Sequence, residues 1–372
     1  MTAVPLRVAV LGAGTVGREV VRTFVESPEL LATPDGPRLE LVGVAVRDVD
    51  AARRRGVAGA LLTDAPAHLV AATEVDVVVE LIGGLEPART LVLAALHAGK
   101  AVVTANKALL ARHGPEVEAV ARAAGAAIRF EAAVAGGTPV LRPLAEDLRA
   151  TRVTRIRGIV NGTTNYILSA MTSEGRTYDD VLADAQARGY AEADPTADVE
   201  GYDAASKLVV LARLAFGRWL DVAQVPCSPR RVDGTDGRPG ITGVTGADIE
   251  TARADAHVIK LVALAQRSDD GAIEAAVVPS WVPESAQLGR TDGVENRVEI
   301  DAEPLGRVAF AGPGAGGPAT ATAVAADLVA LSRGAGSTWA ALHAAPAGLV
   351  DVARPDGPTR ATADGTCYPI EA

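Results

Sequence analysis

Four acids and a lysine crowd two short pieces, 192–198 and 201–207: Glu192, Asp194 and Asp198 in the first, Asp203 four residues before Lys207 in the second. Carboxylates at this density can hold an ammonium group. A lysine among them can exchange a proton with a hydroxyl once it has shed its own. At i and i+4, Asp203 and Lys207 share one face of a helix, with the acid on the favourable N-terminal side. The same spacing also describes an ordinary surface ion pair worth roughly a few tenths of a kcal/mol. Lysine is scarce: of 36 basic residues only Lys100, Lys107, Lys207 and Lys260 are lysine, so 36 − 4 = 32 are arginine. Arginine cannot lose its proton near neutral pH and lysine can. A coding bias that spared four lysines is the other reading. Lys107 follows Thr104-Ala105-Asn106 at the start of a helical pattern, where the helix dipole prefers anions. That mild misfit points towards chemistry rather than packing.

A second motif would hold a cofactor. Gly12-Ala13-Gly14-Thr15-Val16-Gly17 follows the apolar run 6–11 and opens a helical pattern with Val16, Val20 and Phe24 on one face. In that context the first glycine permits the tight turn. The second lets a pyrophosphate approach the backbone, and the third lets helix and strand pack closely. The pyrophosphate then meets unpaired N–H groups at the positive end of the helix. The spacing alone, without the context, marks only a tight turn. Beyond the second strand, Arg47 suits a 2′-phosphate, whereas Asp48 keeps a ribose hydroxyl contact, and so NAD, open. Arg53, Arg54 and Arg55 read mainly as a solvated helix face.

These residues need a scaffold. Strand patterns at 6–11, 39–46, 76–82, 101–104 and 127–131 alternate with helical patterns at 15–27, 86–98 and 107–124, which predicts a doubly wound parallel sheet. Thr104 to Lys107 then lie at the carboxyl edge of that sheet, where open α/β sheets bind ligands. Past about Gly136 the pattern changes. Strands at 152–160, 259–265, 273–278 and 307–310 and helices at 164–172, 179–188, 203–216 and 247–254 predict an α+β domain with an open sheet. Residues 230–245 read as a loop or short strands. The expected organisation is a nucleotide-binding domain over 1–137 and a second domain over 138–310. A glycine-rich segment and helix follow over 311–345, then a loose tail over 346–372.

Composition excludes several classes. The chain has 372 residues, a formal charge of −10 and 3% aromatics, so it lacks the basic patches and stacking platforms of a nucleic-acid binder. Cys227 and Cys367 form no CxxC pair, which implies a reducing compartment. No apolar run reaches the roughly 18 residues of a membrane span, and no secretory leader pattern opens the chain. The expectation is a soluble, cytoplasmic protein. The five histidines, 68, 97, 113, 257 and 343, lack zinc-ligand spacing.

Taken together, residues 12–17, 104–107, 130–137, 161–168, 189–207 and 312–317 resemble homoserine dehydrogenase over roughly residues 6–335. The resemblance implies a Rossmann-type doubly wound nucleotide-binding domain plus an α+β catalytic and dimerisation domain. It implies reversible NAD(P)-dependent hydride transfer between L-homoserine and L-aspartate 4-semialdehyde, on the threonine, methionine and isoleucine route. By resemblance Lys207 is the general acid/base and Lys107 a second lysine at nicotinamide or substrate. Glu192, Asp203 and Asp198 bind substrate. Gly12, Gly14, Thr15, Val16, Gly17, Arg47, Gly83, Thr104, Lys107, Gly189 and Gly316 serve the cofactor, with Gly316 returning to the first domain. Members often carry a sodium-type cation, and Glu131, Val134, Gly136 and Thr138 match its ligand positions, mainly through backbone oxygens. The family also implies a homodimer. Roughly 40 residues follow the last helix, too few for a regulatory βαββαβ module of about 70–80 residues, so no threonine inhibition through such a module is expected. The cofactor carries the hydride, so only the proton needs a protein group, and oxidation is expected to speed up with pH as Lys207 loses its proton. Two other readings compete. A phosphorylating semialdehyde dehydrogenase needs a cysteine nucleophile beside a base, which neither cysteine offers. A non-catalytic dinucleotide sensor would not need Lys207 and its acids.

Overall fold

The computed structural model describes residues 4–34, 36–57 and 61–371. The chain divides into two compact units, one of residues 1–149 and 315–348, the other of 150–314 and 349–372. The first unit therefore keeps 138–149, which the sequence reading gives to the second domain.

The first unit runs β1 (Leu6–Leu11), α1 (Gly17–Glu26), β2 (Leu39–Ala45), α2 (Val49–Arg54), β3 (Leu62–Thr63) and α3 (Pro66–Ala71). It continues through β4 (Val77–Glu80), α4 (Ala88–His97), β5 (Ala101–Thr104), α5 (Lys107–Ala124), β6 (Ile128–Arg129) and α6 (Leu141–Ala145). Its strands lie in the order β3-β2-β1-β4-β5-β6, all parallel. The order reverses between β1 and β4, the place where such sheets bind nucleotides. Val8, Val10, Val44, Val77, Val79 and Val103 are buried, as the near-continuous β-branched runs of a doubly covered sheet require.

Arg7 at the start of β1 donates to Asp76 just before β4 through its main-chain N–H, 2.8 Å, and its Nε, 3.0 Å. Those bonds hold the Asp76 carboxyl below its ordinary range. With the folded value below the unfolded one, the contribution is present above about pH 4 and is lost as pH falls through the folded value. Asp76→Asn is expected to flatten the acid limb of a stability-against-pH curve. An unchanged acid limb in chemical denaturation would contradict this.

The second unit runs β7 (Arg152–Ile159), α7 (Gly162–Glu174), α8 (Tyr178–Ala187), α9 (Thr196–Val199), α10 (Tyr202–Phe216), β8 (Arg230–Arg231) and α11 (Gly246–Ala254). Then follow β9 (His257–Arg267), β10 (Ile273–Pro283), β11 (Glu295–Glu303) and β12 (Gly306–Pro313). A five-stranded antiparallel sheet has the order β10-β9-β7-β11-β12. Helix α10 buries most of its residues, including Leu208, Val209 and Leu211. Strand β11 escaped the sequence reading because Glu299 faces inward: the residue is 4% exposed and its carboxylate meets Arg157 Nε at 3.0 Å.

The chain re-enters the first unit as α12 (Gly317–Ser332), whose Val324, Leu328 and Leu331 join that unit's core. Arg129 Nε donates to Asp327 Oδ1 on α12 at 2.8 Å, with both residues buried. Asp327 Oδ2 also accepts the Glu131 main-chain N–H at 2.8 Å.

The tail is not loose. Val350, Ala353 and Ile370 make β-bridges to Leu220, Glu274 and Trp281. Strands β13 (Thr359–Ala361) and β14 (Thr366–Pro369) form a sheet with β8. Tyr368 is 1% exposed, and Glu371 takes Arg155 Nη2 at 2.5 Å and Arg157 Nη1 at 3.3 Å. The polar, proline-rich composition hid a segment fixed by one buried ring and one buried carboxylate.

Candidate active site

In the second unit the predicted lysine and two of its predicted acids come together. Lys207 Nζ lies 2.7 Å from Asp203 Oδ2, one helical turn away on α10. It also donates to the Val160 carbonyl at 2.6 Å. The lysine side chain is about one-tenth exposed. Helix α10 can start beneath this cluster because Gly201, its N-cap, has φ +89, and an added Cβ would press within 3.3 Å of Val277.

Asn161, absent from the sequence-derived roles, organises the acids. It caps α7, its Oδ1 accepting from Thr164 N at 2.9 Å and Thr164 Oγ1 at 3.0 Å. The cap fixes which way the amide faces. Its Nδ2 then donates to Asp198 Oδ1 at 2.7 Å and Asp203 Oδ2 at 2.9 Å. Thr163 Oγ1 donates to the Tyr190 carbonyl at 2.6 Å, tying the segment after Gly189 to the start of α7. Glu192 stands apart: its side chain is exposed, and its main-chain carbonyl accepts from Gln186 at 3.1 Å. Asp194 accepts from Thr196 N. An Asn followed by Gly-Thr-Thr after a β-branched strand is a cap signal that could have singled out Asn161.

In the first unit the glycine turn has the form a dinucleotide needs. Gly12 has φ +99, and a Cβ there would sit 2.6 Å from the Leu81 carbonyl. A Cβ on Gly17 would overlap the Gly12 carbonyl, while Gly14 faces open space. The late glycine run belongs to the same place, since a Cβ on Gly317, next to Gly316, would meet the Thr15 carbonyl at 2.7 Å. Beyond β2, Asp48 caps α2 by accepting from Ala51 N at 2.8 Å, and Arg47 is exposed.

Glu80, at the end of β4, is a second residue the sequence reading missed. It is fully buried. Its Oε1 accepts from Ile82 N at 2.8 Å and Gly83 N at 3.0 Å, and its Oε2 from Thr104 Oγ1 at 2.7 Å. Thr104 Oγ1 accepts from Asn106 N at 3.0 Å. Asn106 caps α5 at Leu109 N and donates to the Gly84 carbonyl at 2.7 Å. One carboxylate thus fixes both the 81–84 turn and the turn that delivers Lys107. An acid ending the run Val77-Val78-Val79 was the available signal.

The predicted cation ligands lie on one turn, with φ +53 at Ala135, φ +42 at Gly136 and Thr138 N donating to the Ala135 carbonyl at 2.7 Å. The Glu131 carboxylate accepts from Val140, Leu141 and Arg142 main-chain N–H groups at 2.8–2.9 Å, and burial raises its pKa. Among the described residues no group of three or more His, Cys, Asp or Glu converges. Main-chain oxygens are a donor set that would suit a hard monovalent ion.

A doubly wound sheet with a glycine turn at its switch point, in a chain whose second unit carries a lysine–carboxylate cluster, defines a dinucleotide-dependent α/β enzyme. A family model described as homoserine dehydrogenase matches residues 139–329, and one described as its NAD binding domain matches residues 12–131. The chain belongs to the homoserine dehydrogenase family, nicotinamide-dependent oxidoreductases. The homoserine dehydrogenase of Mycobacterium tuberculosis is 48% identical over 359 residues, covering 93% of this chain and 78% of that protein. A crystal structure of a homoserine dehydrogenase from Thiobacillus denitrificans superposes with a TM-score of 0.85 at 40% identity, covering 93% of this chain and 80% of that one. A hyperthermophilic archaeal homoserine dehydrogenase, solved in complex with NADPH, gives a TM-score of 0.72 at 26% identity, covering 89% and 98%. No described helix is long and apolar enough to cross a membrane.

Proposed function

We propose that this chain interconverts L-homoserine and L-aspartate 4-semialdehyde, with Lys207 as general acid/base. The observation that carries the role is the double anchoring of Lys207 Nζ by Asp203 and the Val160 carbonyl. A neutral amine has two N–H bonds and one lone pair. Two fixed acceptors take the N–H bonds and so aim the lone pair at the remaining direction, where a substrate hydroxyl would present its proton. A bound nicotinamide supplies the hydride acceptor or donor. In oxidation Lys207 takes the hydroxyl proton, and in reduction its ammonium returns one to the carbonyl oxygen. Asp203 and Asp198, both oriented by Asn161, hold substrate polar groups, the ammonium among them. Glu192 contributes from the exposed loop, and Lys107 at nicotinamide or substrate.

The residues at the glycine turn fit a dinucleotide. Gly12, Gly14, Thr15, Val16 and Gly17 face the pyrophosphate, with Gly83, Thr104, Gly189 and Gly316 as further contacts. NADP is the preferred form in this reading, because the Asp48 carboxylate is committed to capping α2 while Arg47 is exposed beyond β2. A monovalent cation held by Glu131 and the main-chain oxygens of Val134, Gly136 and Thr138, a homodimer and a cytoplasmic location complete it. The test is nicotinamide absorbance with L-homoserine, NADP and NAD side by side. Arg47→Gln is expected to weaken NADP by about tenfold to a hundredfold, the worth of a hydrogen bond to a charged group, and to leave NAD unchanged. Equal effects on both cofactors would remove Arg47 from the 2′-phosphate. No reduction with either cofactor would favour the sensor.

A further inference from the structure

The sheet of the second unit has two unlike faces. Val277 approaches Gly201 at the head of α10, so its neighbours Ala276 and Val278 face the other way. On that other face the segment 354–359 and the last strand enclose a cavity of about 310 Å³, at the lower end of small-ligand sites. Its floor is aliphatic: Val262, Leu264, Ala276 and Val278. Three arginines, Arg155, Arg230 and Arg354, line it as well.

Two carboxylates, Asp356 and Glu371, line the cavity against the three guanidinium groups. Glu371 at the wall already serves both Arg155 and Arg157. The Nε of Arg155 is buried and has no hydrogen-bond partner among the described residues. Among the described residues the Arg230 guanidinium makes one long hydrogen bond, to the Gly234 carbonyl at 3.4 Å. Arg354 donates to the Ser228 carbonyl at 2.7 Å and Asp236 at 3.1 Å. Burial, with Arg230 nearby, still pulls its pKa down from the ordinary value. Unmatched guanidinium N–H groups above an aliphatic floor recognise an anion with an apolar body.

We propose that this cavity binds a small aliphatic carboxylate, its anionic end on the arginines and its alkyl body on β9 and β10. None of its lining residues belongs to the Lys207 cluster or the glycine turn, so the site stands apart from the reaction described above.

Cys367 lines the cavity and reports on it. Cys227 is buried, and burial pushes its thiol up to about 11, so in the native protein at pH 8 a thiol reagent modifies Cys367 first. Isovalerate is expected to slow iodoacetamide modification of Cys367 saturably, by about tenfold when the site is filled, and isovaleramide to leave it unchanged. Arg230→Gln, at an exposed position, should raise the isovalerate concentration needed by about tenfold, with slow Cys227 modification showing that the variant stays folded. The proposal is overturned by absence of protection, by equal protection from acid and amide, or by an unaltered response in Arg230→Gln. It is overturned too by protection that needs no isovalerate and grows with protein concentration, because a second copy then covers the mouth.

Discussion

Lys207→Met is expected to lower kcat for homoserine oxidation by about 10²–10⁴-fold, the usual worth of a positioned proton acceptor, while the dinucleotide still binds. Cofactor affinity survives because the glycine turn and α1 belong to the first unit and Lys207 to the second. The isosteric, uncharged side chain keeps the aliphatic packing of α10 and removes only the nitrogen. Lys207→Arg is the sharper test. It preserves a positive charge near Asp203, yet guanidinium does not give up a proton near neutral pH. Its turnover should fall almost as far as that of the methionine variant, in both directions. An arginine enzyme with normal turnover would falsify the acid/base role and leave Lys207 as an electrostatic anchor. Both directions should fail together in each variant, because they pass one proton through one nitrogen. Asp203→Asn tests the anchor: it keeps the shape and loses the anion beside Lys207 Nζ, so it should lower kcat by less than Lys207→Met does and leave cofactor Kd unchanged.

The parts of this molecule that were legible in its sequence are those whose signal is local. The glycine turn is read from six consecutive residues and a preceding strand, and Asp203 and Lys207 from one turn of one helix. The parallel sheet follows from β-branched runs separated by helical ones. What stayed hidden depends on partners far apart in the chain. Asn161 acquires its place from Asp198 and Asp203, and Glu80 from Thr104. Neither pairing has a periodic signature. Strand β11 was obscured for a related reason: Glu299 looks solvent-facing until Arg157 is known to lie opposite it. The tail misled through composition, since proline, glycine and charge usually mark loose chain. Here Glu371 pairs with Arg155 and Arg157, some two hundred positions earlier, and Tyr368 is buried as well. Inward-facing charge is what a hydrophobic pattern cannot see, and both missed elements of the second unit carry it.

Glu80→Ala is expected to abolish tight dinucleotide binding, and Glu80→Gln to weaken it by roughly tenfold to a hundredfold with kcat at saturating cofactor little changed. The difference follows from the donors. Glu80 Oε1 satisfies Ile82 N and Gly83 N, and Oε2 satisfies Thr104 Oγ1. Alanine leaves three donors without that acceptor: two part-buried main-chain N–H groups and the buried Thr104 hydroxyl, the last costing about 1–3 kcal/mol. The 81–84 turn then has no reason to keep its shape beside the glycine turn, where Leu81 N donates to the Leu11 carbonyl. Glutamine keeps one carbonyl oxygen for the two main-chain N–H groups. Its NH₂ now faces Thr104 Oγ1, which already accepts from Asn106 N, so the threonine proton loses its acceptor. One hydrogen bond to a charged group, about 1.5–3 kcal/mol, sets the expected loss. The readout is cofactor fluorescence titration beside steady-state kinetics, with thermal unfolding as the control for folding. A role confined to stability would lower Tm in Glu80→Gln and leave the cofactor Kd untouched below the transition. A role in positioning raises Kd at temperatures where both proteins are fully folded, and Thr104→Val, which also removes the hydroxyl, should reproduce it. Glu80 acts on the reaction only through the turns it holds, which is why its loss should appear in Kd and that of Lys207 in kcat.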